Sequence, residues 1–528
     1  MQDKFSDIEL NEDFVNAFNL IENTNRNIFL TGKAGTGKST LLSYFRYQTE
    51  KKIVVLAPTG VAALNIKGQT IHSFFDFKPN VTESKIRKRK GDFYKKIDCI
   101  IIDEISMVRA DLLDCVDKFL RLNGKDKVAN FGGVQMIFIG DLYQLPPVMA
   151  EAEKKIFEEH YETPYFFSSK VFKIFDFDFI ELNKIYRQKD NLFINLLNII
   201  RSNSLKSSHL EILNKRYGKE CEITKENFYI NLTTTNKKAD EINLKRLEEI
   251  KEKEHVYNGL IKGDFDKNYL PTENILRIKN GSQVMLLNNH SEGKWVNGSV
   301  GKVIKIIENS EAIKYGGVEE EINNDIIIIE LDNGDIIEVE PHKWDIFNYE
   351  YNNDSDSIES KPIGAFIQFP IKLAWAITIH KSQGKTFEKV LIDFGDRTFA
   401  HGQAYVALSR CTSLEGIVLK TKLKKEHILL DKRVVEYIKK LHKKNSELNL
   451  SKIDKINLIK KHIEEKNKLE IIYIKDNGDK IKKEIIAVEL IEEYKNKGKI
   501  FTALKGMKID KKEAIVFDVD RILKIKMI

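Results

Sequence analysis

Long apolar runs are missing from this 528-residue chain. Stretches such as Ile326–Ile329 fall far short of the about 20 residues that a membrane-spanning helix needs, so no helical membrane anchor is expected. Cysteine is scarce as well. Cys99, Cys115, Cys221 and Cys411 are scattered and show no paired ligand spacing. This excludes a disulfide-stapled secreted fold, leaves no zinc-ribbon pattern and points to a reducing cytoplasm. The opening MQDKFSDIEL is acidic and polar and does not read as a secretory signal. Internal repeats and low-complexity segments are absent. Neither sign of charge prevails strongly, with 86 Lys and Arg against 79 Asp and Glu for a net +7. Such a balance suits a polyanionic partner without requiring one. A chain of this length exceeds one ordinary core and should form several domains.

What is present first is an alternation of strand and helix patterns. Apolar runs at Asn27–Leu30, Ile53–Leu56, Cys99–Ile102 and Met136–Ile139 have the length and β-branching of buried parallel strands. Helical patterns between them predict an α/β layer architecture to about residue 185. Lys78–Lys96 interrupts that rhythm as a basic, weakly periodic segment, a surface loop or hairpin. A second α/β unit starts near Leu182 and resumes after Gly364. Between them, residues 295–363 read as a small β-barrel insertion, with a hairpin at Asp332-Asn333-Gly334 and a closing polar loop at Asn348–Ser360. Residues 420–468 form a basic helical stretch with 16 Lys and Arg against 7 Asp and Glu. There Val434, Tyr437, Ile438 and Leu441 recur at helical spacing, as do Ile453, Ile456, Ile459 and Ile463 with Ser451 as cap. The tail from Leu469 returns to strands, with a turn at Asn477-Gly478.

The chemistry is concentrated in the first unit. Gly32-Lys33-Ala34-Gly35-Thr36-Gly37-Lys38-Ser39-Thr40 lies between the strand NIFL and a helix, the context that a phosphate-binding loop requires. Glycines there let backbone N–H groups turn toward phosphates, and the helix N-terminus adds its positive end. Lys38 would reach the β- and γ-phosphates of ATP, while the Ser39 hydroxyl would bind Mg²⁺. A second strand ends in Asp103-Glu104, where Asp103 would hold Mg²⁺ and Glu104 would polarise the attacking water. A third strand leads to Asp141 and Gln144, whose amide is placed to sense the γ-phosphate.

The segments AGTGKS (34–39), APTGVAALNI (57–66), TIHSFF (70–75), IIDEISM (101–107) and GDLYQLPPV (140–148) occur in that order. They are followed by YRQ (186–188), TTTNKKADEIN (233–243), IHKSQGKTFEKV (379–390) and QAYVALSRCTSLEGI (403–417). Together they resemble superfamily 1 helicases of the 5′-to-3′ branch, and within it the Pif type (petite integration frequency), related to RecD-like enzymes. The resemblance spans roughly residues 10 to 420. It implies an ATP-dependent DNA helicase with two RecA-like domains sandwiching ATP and Mg²⁺, acting in replication, repair or genome maintenance. Domain 1A would cover 1–185, with a small wedge-bearing insertion 1B near 76–96; domain 2A would cover 186–294 and 364–423. An SH3-like insertion 2B would span 295–363, a basic helical linker 424–467 and an accessory domain 468–528.

The same resemblance makes Arg187 and Arg410 arginine fingers and gives Gln383 and Gly384 a part in coupling the ATP cleft to DNA. It lines the DNA track with Pro58, Thr59, Gly60, His72 and Phe74 in the first domain, and with His380, Lys381 and Ser382 in the second. Single-stranded, forked or structured DNA is the implied partner. The expected protein is a monomer in a bacterial-type cytosol, associated with the nucleoid. Two departures stand out. The N-terminal segment lacks the glutamine that reads adenine and has Phe14 at that place, and the tail, closing in VFDVDRI (516–522), resembles a WYL domain without the namesake tripeptide. A generic β-rich packing domain is the other reading of the tail. For the whole chain, the alternatives are an ATP-gated single-strand clamp that does not unwind, or an RNA helicase.

Overall fold

Strands whose residues are buried on both faces need cover on both sides, and the first apolar runs show this. β1 (Ile28–Gly32), β2 (Ile53–Ala57), β3 (Gln69–Thr70), β4 (Cys99–Ile102), β5 (Gln135–Ile139) and β6 (Asp178–Leu182) form one parallel sheet in the order β3-β2-β4-β5-β1-β6. Ile28 sits opposite Ile137 on one side and Asp178 on the other. One face is covered by the helices Glu12–Asn23 and Lys38–Gln48, through Phe14, Ala17, Ile21, Leu41, Leu42 and Phe45. Burying each of the larger side chains contributes about 1.5–3 kcal/mol. The computed structural model describes residues 11–527 apart from 79–80, 150, 189, 203, 220–227, 266–269, 309–324, 396–397, 399, 449–451, 466, 475–479, 497–498 and 509–512.

β7 (Ile230–Thr233) begins a second sheet, which is interrupted at once by an antiparallel region. In that region β8 (Glu254–Asn258), β9 (Leu260–Gly263), β10 (Ile275–Lys279) and β11 (Gln283–Leu286) precede β12 (Val300–Ile307), β13 (Ile326–Leu331) and β14 (Ile336–Val339). β15 (His342–Asn352), β16 (Ser357–Gln368) and β17 (Ile371–Leu373) complete it. The central sheet runs β14-β13-β12-β11-β17 around Trp295, Val303, Ile327, Ile329 and Phe369. Two of its strands, β11 and β17, lie outside the expected 295–363. β11 is buried along its whole length, so it lacks the alternation that would mark it as antiparallel. The Asp332-Asn333-Gly334 turn forms as expected, with Gly334 N–H donating to Leu331 O at 3.0 Å. Beyond the insertion β18 (Ala376–Thr378), β19 (Val390–Ile392) and β20 (Ile417–Leu419) rejoin β7 in the parallel order β18-β7-β19-β20.

One local expectation needs correction. Asn348–Ser360 is not a loop: β15 and β16 pair without a break from Phe347↔Pro362 to Asn352↔Ser357, and only the tip is turn. The polar sequence at the tip hid two strands whose alternating tyrosines carry the packing. Tyr349 is buried, and its Oη accepts from Val55 N at 3.1 Å and donates to Val55 O at 3.3 Å, completing the edge of β2 beyond the reach of the short β3. Lys52 of β2's approach pairs with Asp356 at 2.7 Å. The basic segment near 76–96, for its part, forms short turns at Glu83–Lys85 and Phe93–Lys96 and no strand among its described residues.

By its contacts the chain divides into Met1–Glu22 with Arg26–Asp431, and Lys432–Ile528 with Asn23–Asn25. The latter holds the helices Lys432–Leu448 and Lys452–Glu464, with Val434, Ile438 and Leu441 buried on the first. They are followed by β21 (Lys468–Ile474), β22 (Lys480–Asn496), β23 (Lys499–Lys508), β24 (Ala514–Asp518) and β25 (Ile522–Met527). The sheet is antiparallel in the order β24-β23-β22-β21-β25 over a core of Ile459, Leu469, Ile471, Ile485, Leu504 and Phe517. The Ser451 cap and the Asn477-Gly478 turn lie outside the described residues.

Candidate functional site

The loop between β1 and the helix Lys38–Gln48 turns on Gly35 and Gly37, at φ +81° and +85°. At Gly35 a side chain is also excluded by contact, because a Cβ would sit 2.4 Å from that of Arg187. Tyr186 N–H donates to Gly35 O at 2.8 Å, so the YRQ segment is laid directly on the loop. Lys38 Nζ donates to Gly32 O at 2.7 Å and to Lys33 O at 3.0 Å, and burial holds its pKa down against the pull of Asp141, Glu104 and Asp103. Thr36 is buried and bonds back to Lys33 O, while Ser39 and Thr40 open outward at the helix start.

Asp103 and Glu104 stand at the end of β4. Asp103 Oδ1 accepts the Glu104 N–H at 2.9 Å, and Glu104 takes a left-handed backbone at φ +50°. Non-glycine residues are held there at a cost, a pattern that clusters at functional sites. Burial raises both carboxyl pKa values, and for Glu104 the neighbouring Asp103 raises it further. The Gln383 amide spans from the second sheet's segment to this pair, donating at 3.2 Å to Glu104 Oε2 and at 3.2 Å to Gln144 Oε1. Gln144 in turn donates to Asp141 at 3.3 Å. Ser39 and Asp103 offer one hydroxyl and one carboxylate. That set fits Mg²⁺, which keeps several waters and takes its remaining oxygens from phosphates.

Two guanidinium groups lie beside this cluster, and Arg410 acts on Glu104 itself. Arg187 donates to Ser409 O at 3.3 Å and to Gly384 O at 3.4 Å. Arg410, 1% exposed, is held by Val406 O, Ser382 O, Lys385 O and Ser409 Oγ at 2.9–3.4 Å. Burial, and then Arg187 beside it, pushes the Arg410 pKa down to about 9. Arg410 is buried and Arg187 half-buried, and among the described residues neither forms an ion pair with a carboxylate, so together they offer positive charge to a polyanion held on the phosphate-type loop. Sequence reasoning missed two members. Tyr405 Oη accepts the Ala34 N–H at 3.1 Å, tying the QAYVALSR segment to the loop, and its place inside that segment was the available signal. Arg201 pairs with Asp141 at 3.5 Å and Glu181 at 3.2 Å and lies over Tyr143, but it ends an ordinary apolar helix and nothing in the sequence marks it.

The expected DNA-track residues divide by exposure. Pro58 and Thr59 are half-exposed at the end of β2, where Thr59 caps the helix Gly60–Asn65 and Gly60 is buried. His72 and His380 are half-buried, and desolvation lowers both pKa values. Lys381 is exposed. Phe74 and Ser382 are not on the surface. Phe74 is buried edge-on against Phe75 and Tyr349, and Ser382 is fully buried with its hydroxyl donated to Ile379 O at 2.7 Å. An apolar ring in TIHSFF is drawn into an aromatic cluster, and the Ser382 hydroxyl is used to hold its own turn. Phe14 likewise packs in the core against Tyr44, while Asn11 donates to Tyr186 Oη at 2.8 Å. Leu10 of that segment lies outside the described residues.

Comparison with known proteins adds names to this geometry. A PIF1-like helicase family model matches residues 9–208, and a second model described as helicase matches residues 350–449. An ATP-dependent DNA helicase Pif1 from Bdellovibrio bacteriovorus is 30% identical over 82% of this chain and 92% of its own. Among solved structures, Bacteroides sp. Pif1 in complex with ADP-AlF4 aligns at a TM-score of 0.74 and 36% identity, over 83% of this chain and 98% of that one. Bacteroides Pif1 bound to single-stranded DNA aligns at 0.58 with 36% identity, over 82% and 97%.

Proposed function

This chain belongs to the PIF1-like helicase family, and on that premise we propose that its ATP-dependent DNA helicase activity draws a single strand 5′ to 3′ across two RecA-like domains. These are 1–185, and 186–294 with 364–423; duplex or structured DNA is separated ahead of them. Lys38 and the amides of Gly35–Ser39 hold the phosphates, and Ser39 and Asp103 hold Mg²⁺, which supplies positive charge beside the transferring group. Glu104 takes the proton of the attacking water. Gln144 reports the γ-phosphate, and Gln383 with Gly384 passes its loss to the DNA side. Arg187 and Arg410 stabilise the charge of the transition state, each worth a factor on the order of 10²–10³ in rate.

One observation carries this reading: Gln383 lies within hydrogen-bond reach of both Glu104 and Gln144, so the acid, the sensor and the second domain meet at one amide. Pro58, Thr59, His72, His380 and Lys381 contact the strand, while Gly60, Phe74 and Ser382 support it from beneath. The names of the matched relatives favour unwinding of DNA over a passive clamp or an RNA helicase. We place the protein, as a monomer, in a nucleoid-associated cytoplasmic setting serving replication or repair, with 468–528 as a WYL-like accessory domain. Among the described residues no helix is long and apolar enough to cross a membrane. Unwinding is tested with forked duplexes carrying a 5′ or a 3′ tail, beside a DNA-stimulated ATPase assay. The 5′-tailed fork should open and the 3′-tailed one should not. ATPase without unwinding of either would leave the clamp.

A further inference from the structure

Three lysines gather where the second parallel sheet meets the antiparallel insertion. Lys372 lies on β17 between the buried Ile371 and Leu373, and therefore points to the opposite face from them. Lys381 and Lys385 flank the Ser382-Gln383-Gly384 turn, and both contribute to the electrostatic environment of Lys372. Lys385 Nζ donates to Asn297 Oδ1, and its stem lies 3.5 Å from the Cβ position of Gly298. The carboxylates that act on Lys372 are Glu273 and Asp240, and among the described residues none of the three lysines forms an ion pair. Like charges packed together with partial burial are unfavourable unless an anion joins them. Burial first, and then Lys385 and Lys381, lower the Lys372 pKa to about 7; burial lowers that of Lys385 to about 8.

Asn297 also reaches the other way. Its Nδ2 donates at 3.2 Å to Asn65, the last residue of the helix that Thr59 caps, and its N–H donates to Asn289 Oδ1 at 2.7 Å. Asn297 thus joins the helix that starts at the Thr59 cap to Lys385 of the turn after Lys381, the two segments that the DNA-track reading sets against the strand. We propose that Lys372, Lys385 and Asn297 form a binding notch for a backbone phosphate of that strand. The inference rests on the DNA-track reading above. A pH dependence of binding follows from the free protein. Near pH 8 the lysines are partly neutral, and a bound phosphodiester favours their charged forms. Affinity should therefore be greatest below about pH 7 and fall as pH rises through the free pKa values.

The test is fluorescence anisotropy of labelled oligo-dT between pH 6.5 and 9 at several salt concentrations, with melting curves to check folding. For the unsubstituted protein affinity should fall by up to about tenfold per pH unit for each proton taken up. Lys372→Met with Lys385→Met should flatten that dependence and reduce the log–log salt slope by about 0.7 or more. Lys385→Arg, charged at every pH used, should keep the salt slope and weaken the pH dependence. A folded double variant with unchanged pH and salt dependence would overturn the notch. Should the double variant not fold, Lys385→Arg with unchanged pH dependence overturns it instead. Lys381→Ala separates the two readings: unchanged binding there fails the track itself, whereas weakened binding beside an unaffected double variant fails the notch alone.

Discussion

Gly402→Ala tests how tightly the two motor domains must fit. Gly402 has φ +74° and opens the helix Gln403–Leu408, which carries Tyr405 and leads to Arg410. A Cβ there would lie 2.5 Å from both Tyr143 O and Gln144 O. Both obstacles are main chain and cannot rotate away. Ordinary contact begins near 3.4 Å, so the helix must retreat from the Gln144 segment by about 0.9 Å. Displacements of about 1 Å around a catalytic group can cost on the order of 10² in rate. We therefore expect kcat for ATP hydrolysis at saturating oligo-dT to fall by about 10², with nucleotide binding to the first domain largely kept. Gly395→Ala is the control for backbone strain. Its φ is +63° but a Cβ there meets nothing within 4 Å, so it carries only the left-handed cost of about 1–2 kcal/mol. Turnover of a folded Gly402→Ala protein within about twofold of the parent would refute the reasoning, as would an equal loss in Gly395→Ala.

Glu104→Gln should leave only residual hydrolysis while keeping ATP binding, and Lys38→Ala should weaken binding itself, both read by turnover and nucleotide titration. Because burial and Asp103 raise the Glu104 pKa, the rising limb of kcat/KM against pH should lie above the usual carboxylate range and should be missing from the residual activity of Glu104→Gln. Arg187→Ala and Arg410→Ala should each lower kcat by about 10²–10³ at saturating DNA while oligo-dT still binds; near-normal turnover would make that arginine structural. Tyr349→Phe removes the hydroxyl that serves both Val55 N and Val55 O. Leaving the two groups unpaired should cost about 2–6 kcal/mol, seen as a lower melting temperature, and an unchanged melting curve would mean that water replaces the phenol.

The loop at Gly35–Ser39, the acids at Asp103-Glu104 and the order of the segments from TIHSFF to VALSR were legible because each is a local backbone event. A strand end, a tight turn and a helix start have to be written in consecutive residues. The parallel strands were legible too, since burial on both faces demands unbroken apolar runs. The sequence by itself thus determined the α/β class, the nucleotide chemistry and the family. Tertiary structure decided what depends on residues far apart in the chain. It set Arg410 against Arg187 and laid Gln383 across Glu104 and Gln144, and it packed the Arg201 guanidinium onto Asp141. It also withdrew Phe74 and Ser382 from the surface and extended the antiparallel sheet to β11 and β17. The physical reason is the same in each case. A side chain's type fixes what chemistry it can offer, but its exposure and its partners are set by the packing of elements far away in the chain.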